Sequence, residues 1–172
     1  MDVKFRKLIE LGAGEFEHVQ PAMIEHLERT RCILKSWSAP EFLQDAGLYY
    51  LAYDPKQALI TSTERTDIAA IIGEDVEQLI YQYFCCDKDQ FYSVLDKGES
   101  SVYCHKFTQQ NTFVGTQRVK DICELDVAIM VDKATSSPAY LRHNTQVWSN
   151  RLNTIESFLS RAANRKIRQL FN

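Results

Sequence analysis

Two neighbouring stretches decide the fold: residues 15–37, EFEHVQPAMIEHLERTRCILKSW, and residues 40–55, PEFLQDAGLYYLAYDP. In the first, Pro21 suits the opening position of a helix, where an amide would have no partner in any case. Met23, Leu27 and Leu34 then form an apolar stripe flanked by Ile24 and Cys32, while Glu25, Glu28, Arg29 and Lys35 fall on the side that faces water. The helix is predicted to run to Trp37, with His18 in the loop before it and His26 inside it. In the second stretch Ser38 reads as an N-cap, with Pro40 in the first turn and Glu41 three residues on. Phe42, Leu43, Ala46, Gly47, Leu48 and residues 50–52 make this helix apolar nearly all round, as befits the centre of an all-α core. Gly47 lets a neighbouring helix come close, and Asp54-Pro55 ends the element, because the residue before proline is pushed out of the helical region.

Working outward, residues 2–11 suit a short amphipathic helix built on Val3, Phe5, Leu8, Ile9 and Leu11 and ended by Gly12 and Gly14. Downstream, PKQALITSTERT is a connection, and Thr63 or Thr66 is a candidate cap for a short helix TDIAAIIG that stops at Gly73. EDVEQLIYQYFCC places Val76, Leu79, Ile80, Tyr83 and Phe84 on one face, with acids in the first turn as the helix dipole prefers. DKDQFYSVL follows as a third piece after a break at Asp87, Lys88 and Asp89. Residues 96–117 change character: they are rich in Ser, Thr, Gln and Gly, and SVYCHKF and NTFVGT read as a β-hairpin flap about a Thr-Gln-Gln-Asn turn. Helix resumes with RVKDICELDVAIMVDKA, carrying Val119, Ile122, Leu125 or Asp126, Ile129 and Met130 at spacings of three and four. After Pro138, with Ser137 as cap, the rest is one long helix or two, with Leu141, Val147 or Trp148, Leu152, Ile155, Leu159 and Ala162 inward.

The chain has 172 residues, 45% of them hydrophobic, and nineteen aromatic side chains, enough for one sizeable core, so a single helical domain over 1–172 is expected. No apolar run is long enough for a membrane span, and the N-terminus has no signal-peptide centre, so a cytoplasmic location is expected. The five cysteines, at 32, 85, 86, 104 and 123, show no CxxC spacing, which argues against a zinc ribbon and for a reducing compartment; three fall inside predicted helices as small apolar groups. Glycine-rich phosphate loops, G-x-S-x-G and HExxH are absent. The tail is locally basic, with Arg151, Arg161, Arg165, Lys166 and Arg168 against Glu156, a pattern usual for a solvated helix face and otherwise for an acidic partner or nucleic acid.

HVQPAMIEHLERTRCILKSW, AGLYYLAY and IAAIIGEDVEQLIYQYFCCDK, in that order, resemble a domain family of unknown function from bacteria and plants that belongs to the wider HD-domain group of helical metal-dependent phosphohydrolases. The likeness spans residues 16–133. It implies an all-α, HD-domain-like bundle, with residues 134–172 as a C-terminal helical extension. By this resemblance His18 and His26 match family histidines, Tyr50 stands where the family has the histidine of its His-Asp pair, and Leu51 replaces the polar residue after it. Asp126 matches the late acidic residue, and Ile129 replaces an asparagine. Such a site needs imidazoles and carboxylates converging on a divalent ion that acidifies a bound water. A phenol, ionising near pH 10, is a poor substitute.

Two ligand-type positions are thus lost, and the expectation is a ligand-binding or regulatory protein with a degenerate metal site and no cofactor. The expected ligand-binding residues are His18, His26, Tyr49, Tyr50, Tyr53, Glu77 and Tyr81. Tyr83, Phe84, Phe91 and Tyr92 are expected to join the same aromatic wall. The rival is a metal-dependent hydrolase of nucleotides or phosphoesters, with His18, His26 and Asp126 as divalent-metal ligands and Glu74 or Glu77 nearby. A third class is an interaction module that uses the basic last helix, as a homodimer or with another chain. A small-molecule ligand and a second copy are the expected partners; membrane and nucleic acid are not. Each histidine has a plain reading too: His26 as a hydrogen-bonded core residue, His18 as a loop residue, His105 and His143 at the rim.

Overall fold

In the computed structural model, residues 3, 6, 7, 21–54 and 64–171 are described. His18, Thr63 and the connection 55–63 lie outside them, as does the expected helix over 2–11 apart from positions 3, 6 and 7, which are helical. The described residues form eight α-helices and one two-stranded antiparallel sheet, so the architecture is all-α with a small hairpin. They divide into two compact units, Met1–Phe84 and Cys85–Asn172.

The first unit is built on α1 (Pro21–Ser36) packed against α2 (Glu41–Tyr49). Leu27, Thr30 and Leu34 are the buried positions of α1, and the Thr30 hydroxyl is satisfied by donating to the carbonyl of His26 at 2.9 Å. Met23 and Ile24 are half-buried, and Cys32 is exposed rather than flanking the buried stripe. The two helices meet where Gly47 faces α1: a Cβ there would lie 2.8 Å from Leu34 Cδ1, 3.2 Å from Arg31 N and 3.3 Å from Arg31 Cα. An ion pair from Arg31 to the buried Asp45, at 3.0 Å, joins the same two helices.

Ser38 does not cap α2. Its φ is +58°, and the Ser38 and Ala39 amides donate back to the carbonyls of Lys35 (3.0 Å) and Leu34 (3.1 Å). This is the Schellman closure of α1, which places a left-handed residue just past the helix end. Pro40 is therefore the N-cap of α2, and it offers no side-chain acceptor. The S-x-P-E pattern marks a helix junction, but the serine serves the helix behind it. α2 also stops earlier than Asp54, with Tyr50 as C-cap and turns carrying the chain through residues 51–53.

α3 (Arg65–Ile72) starts after Glu64, so Thr66 lies within the helix instead of capping it; Gly73, at φ +97°, ends it. α4 (Glu74–Cys85) buries Val76, Leu79 and Ile80, and half-buries Tyr83 and Phe84. Full burial of each such aliphatic side chain contributes about 1.5–3 kcal/mol.

In the second unit, α5 (Lys88–Asp96) is capped by the Asp87 carboxylate, which accepts from Gln90 N. The hairpin is present: β1 (Val102–His105) pairs antiparallel with β2 (Gln110–Phe113), Val102 opposite Phe113 and His105 opposite Gln110. Its turn is residues 106–109, two positions earlier than the Thr-Gln-Gln-Asn reading, with Gln109 at φ +56°. β1 is tied on its other side to the first residues of this unit, where Lys106 N donates to Cys85 O and Asp87 N to Cys104 O, both at 2.8 Å. α6 (Thr116–Ser136) is buried from Val119 to Asp132 save for Lys120, and this run includes the acids Asp121, Glu124, Asp126 and Asp132.

Ser137 caps α7 (Pro138–Ile155) by accepting from Tyr140 N at 3.2 Å. A 3-10 turn (Glu156–Phe158) then leads to α8 (Arg161–Phe171), so the tail is two helices. Trp148 points inward and Val147, 48% exposed, does not; Ala163 takes the buried place expected for Ala162, and Leu141 and Leu159 are half-buried. α8 is fixed at its start by Ser160, whose N and Oγ donate to Glu124 at 2.9 and 2.5 Å while Oγ accepts from Ala163 N.

Gly47→Ala should lower stability. Helix propensity alone would favour alanine by about 1 kcal/mol. Against this, the new methyl would press on Arg31 backbone and on the fully buried Leu34, an overpacking cost of about 1–3 kcal/mol. Urea unfolding should show a lower midpoint, and an equal or higher one would mean that the α1–α2 contact is not tight.

Candidate functional site

The first unit places five of the expected residues in two polar and aromatic groups. His26 Nε2 lies 2.5 Å from the Tyr50 hydroxyl, and the two rings meet edge to face at 6.0 Å. When the imidazole proton is on Nδ1, Tyr50 donates and Nε2 accepts. Tyr50 in turn packs edge-on to Tyr83 at 5.8 Å. Tyr50 is buried, as is Tyr49, which is 1% exposed and belongs to the core.

The second group is centred on Glu77, a carboxylate only 4% exposed. Arg65 donates to it through two nitrogens, Nε to Oε1 at 2.7 Å and Nη2 to Oε2 at 2.8 Å, and the Tyr53 hydroxyl donates to Oε1. The guanidinium also lies 3.7 Å from the Tyr81 ring centre, and Tyr81 and Phe84 both contact the Tyr53 ring. This is fork-to-fork recognition of a carboxylate, completed by a phenol and a cation–π contact. Glu74 and Asp75 are exposed on the first turn of α4.

In the second unit, Asp126 Oδ2 accepts from the Tyr92 hydroxyl at 2.5 Å, and Lys88 Nζ lies 3.5 Å from Oδ1. Phe91 and Tyr92 belong to this group, where Tyr92 stacks edge-on with Trp148 and beneath Arg151. Cys86 and Cys123 are buried here, and burial pushes the Cys86 thiol up to about 11 and the Cys123 thiol further, in spite of Lys88. Raised thiols suit small packed groups, not nucleophiles. His105 is half-buried on β1 and His143 is exposed on α7.

A divalent ion of the HD type needs several donors whose lone pairs turn to one point. The described candidates do not fit it. His26 has its Nε2 against a phenol, Tyr50 is itself a phenol, Glu77 is held by Arg65 and Tyr53, and Asp126 by Tyr92 and Lys88. Among the described residues no group of three or more His, Cys, Asp or Glu side chains is placed to hold a metal. Sequence reasoning did not assign Arg65 or Lys88 to these groups, and it expected Phe91 and Tyr92 in the aromatic wall, whereas Tyr92 is found on Asp126. Arg65 reaches Glu77 from the helix before it, and no periodic pattern marks such a pair.

Comparison with known proteins bears on the fold. Residues 7–88 match the family described as Domain of unknown function (DUF6817). The chain is similar to the solved structure of an HD-domain protein, a metazoan ortholog of SpoT that hydrolyzes ppGpp and plays a role in starvation responses. The TM-score is 0.56 and the identity 14%, over 99% of this chain and 95% of that one. Curated proteins give no match. The relation is HD-like in fold, and no described helix is long and apolar enough to cross a membrane.

Tyr53 and Tyr92 carry a pH signature. Burial first, then the adjoining carboxylate of Glu77 or Asp126, holds each hydroxyl protonated well above its ordinary value near 10. A folded value above the unfolded one means that this stabilisation is complete below about pH 10 and is lost as pH rises past it. Urea midpoints should therefore fall on the alkaline side, and Tyr53→Phe with Tyr92→Phe should flatten that fall from a lower starting stability. An unchanged alkaline slope in the double variant would contradict the two phenol–carboxylate contacts.

Proposed function

We propose that this protein is a non-catalytic ligand-binding or regulatory protein on an HD-like scaffold, in which Tyr50 and its aromatic neighbours fill the place that a metal ion occupies in hydrolytic relatives. The observation that carries this reading is the contact of His26 Nε2 with the Tyr50 hydroxyl. Tyr50 stands at the position of a family histidine, so the phenol removes one ligand and engages the nitrogen of another. The Glu77 and Asp126 contacts support the same reading, because a carboxylate satisfied by a fixed internal cation has little to offer an ion.

The similar HD-domain protein hydrolyzes ppGpp, so polyphosphorylated nucleotides lead the ligand classes to be tried, with this chain holding them intact. The test has two arms. Elemental analysis of wild type and His26→Ala, after equilibration with manganese or zinc, should give sub-stoichiometric metal that does not depend on His26. A thermal-shift panel of ppGpp, GTP, GDP and small metabolites should yield a ligand that raises the melting temperature. Saturation at one hundred times Kd adds about 2.7 kcal/mol, a shift of about 5–10 °C for a chain of this size. One equivalent of metal lost in His26→Ala, or turnover of ppGpp by the metal-loaded protein, would replace this reading with the hydrolase.

A further inference from the structure

The second unit carries a feature that this reading does not use. Between α7 and α8 runs an open groove of about 350 Å³, at the small end of the usual range of binding clefts. Its α7 wall is Ser149, Leu152, Asn153 and, where α7 passes into the 3-10 turn, Glu156, and its α8 wall is Asn164, Ile167, Arg168 and Phe171. Both sets follow the same spacing of three, four and seven, so each wall is one face of a helix about two turns long. Leu152 and Ile167 are buried and form the floor, while Phe171 is half-buried at one end. A trough between two helices, apolar at the bottom and two turns long, is the shape that receives the apolar edge of a third helix.

Charge selects the third helix. α8 has four cations, Arg161, Arg165, Lys166 and Arg168, and no carboxylate. Arg161, Arg165 and Arg168 are all exposed and spaced by four and three, so they form one row. Successive residues turn about 100° around a helix, which sets this row directly beside the Asn164 and Ile167 wall, along the rim of the groove. Arg168 pairs across the groove with Glu156, while no described carboxylate pairs with Arg161 or Arg165. Ala163 and Ile167, the apolar side of α8, are buried, Ile167 as part of the groove floor, so α8 has no broad apolar face to lay on a lipid surface, whereas the edge of a helix can reach into a groove. A phosphate backbone could meet the arginine row but would leave the Leu152 and Ile167 floor unused, whereas an amphipathic helix covers both.

We propose that the α7–α8 groove is a docking site for an acidic amphipathic helix of a partner protein, its apolar edge seated on Leu152, Ile167 and Phe171 and its carboxylates along the Arg161, Arg165 and Arg168 row. The interaction is steered by charge and therefore weakens as salt rises. It uses residues of the second unit alone and stands whether or not the His26 and Glu77 groups bind a ligand.

The test is fluorescence anisotropy with the full chain and a labelled synthetic helix that carries leucines at spacings of three and four flanked by glutamates. A lysine-flanked version of the same peptide, a single-stranded oligonucleotide and anionic phospholipid vesicles serve as competitors for the assignment. The glutamate peptide should bind saturably. Arg161→Glu with Arg165→Glu should weaken it by about tenfold or more at low salt, and Asn153→Trp, which fills the groove without changing charge, should abolish it. All three positions are exposed, and circular dichroism melts of the variants should match wild type. Absence of saturable binding, equal binding of the lysine peptide, indifference to both variants, or preference for the oligonucleotide or vesicles would overturn the proposal.

Discussion

A carboxylate removed from water must be matched by fixed donors, and this requirement organises both units. Glu77, 4% exposed, is gripped by two nitrogens of Arg65 and by Tyr53, which draws the start of α3, the turn after α2 and the body of α4 onto one side chain. Asp45 with Arg31 does the same for α2 and α1, Asp126 with Tyr92 and Lys88 for α6 and α5, and Glu124 with Ser160 for α6 and the start of α8. Apolar burial supplies most of the stabilisation, but it is non-directional. The acid contacts fix which turn of one helix faces which turn of another, and removing the partner of a buried carboxylate leaves its charge uncompensated and is destabilising.

What the sequence makes legible follows from this division. Apolar spacing finds α1, α4 and α6, because burial is written in a period of about 3.6 residues. Gly47 is legible because only a missing side chain allows two helices so close. Ser38 misleads for a physical reason: the same small polar residue tolerates the left-handed turn that ends one helix and caps the start of another, and only the backbone decides. Trp148 and Ala163 are each one residue from an equally plausible inward neighbour, and the 3-10 turn between α7 and α8 resets the phase in a way that periodicity alone does not reveal.

The candidate site is less legible than the fold. Family resemblance draws attention to His26 and Tyr50, which are far apart in sequence, and the structure puts their polar atoms in contact. The same resemblance marks Asp126 without indicating that Tyr92 and Lys88 hold it. Glu77 reads from sequence as one of three acids in a first helical turn, where the dipole explains them all; its burial and its arginine appear only in three dimensions. Charge partners that come from another helix leave no periodic trace, so sequence shows which groups are chemically able and not which are already spoken for.

That distinction bears on how far a fold predicts chemistry. The HD-like arrangement is shared with a hydrolase at 14% identity, a level at which the scaffold persists while side chains turn over. For His26 to serve an ion through Nε2, the hydroxyl of Tyr50, a residue 7% exposed, must give up that contact, and losing a buried hydrogen bond costs about 1–3 kcal/mol. For Glu77 to turn outward, Arg65 must leave both the carboxylate and the Tyr81 face. Those costs add before any ion binds, whereas a ligand that accepts the groups as they stand pays neither. On the proposed reading, the same contacts that set helix register within each unit also favour holding a molecule over breaking one.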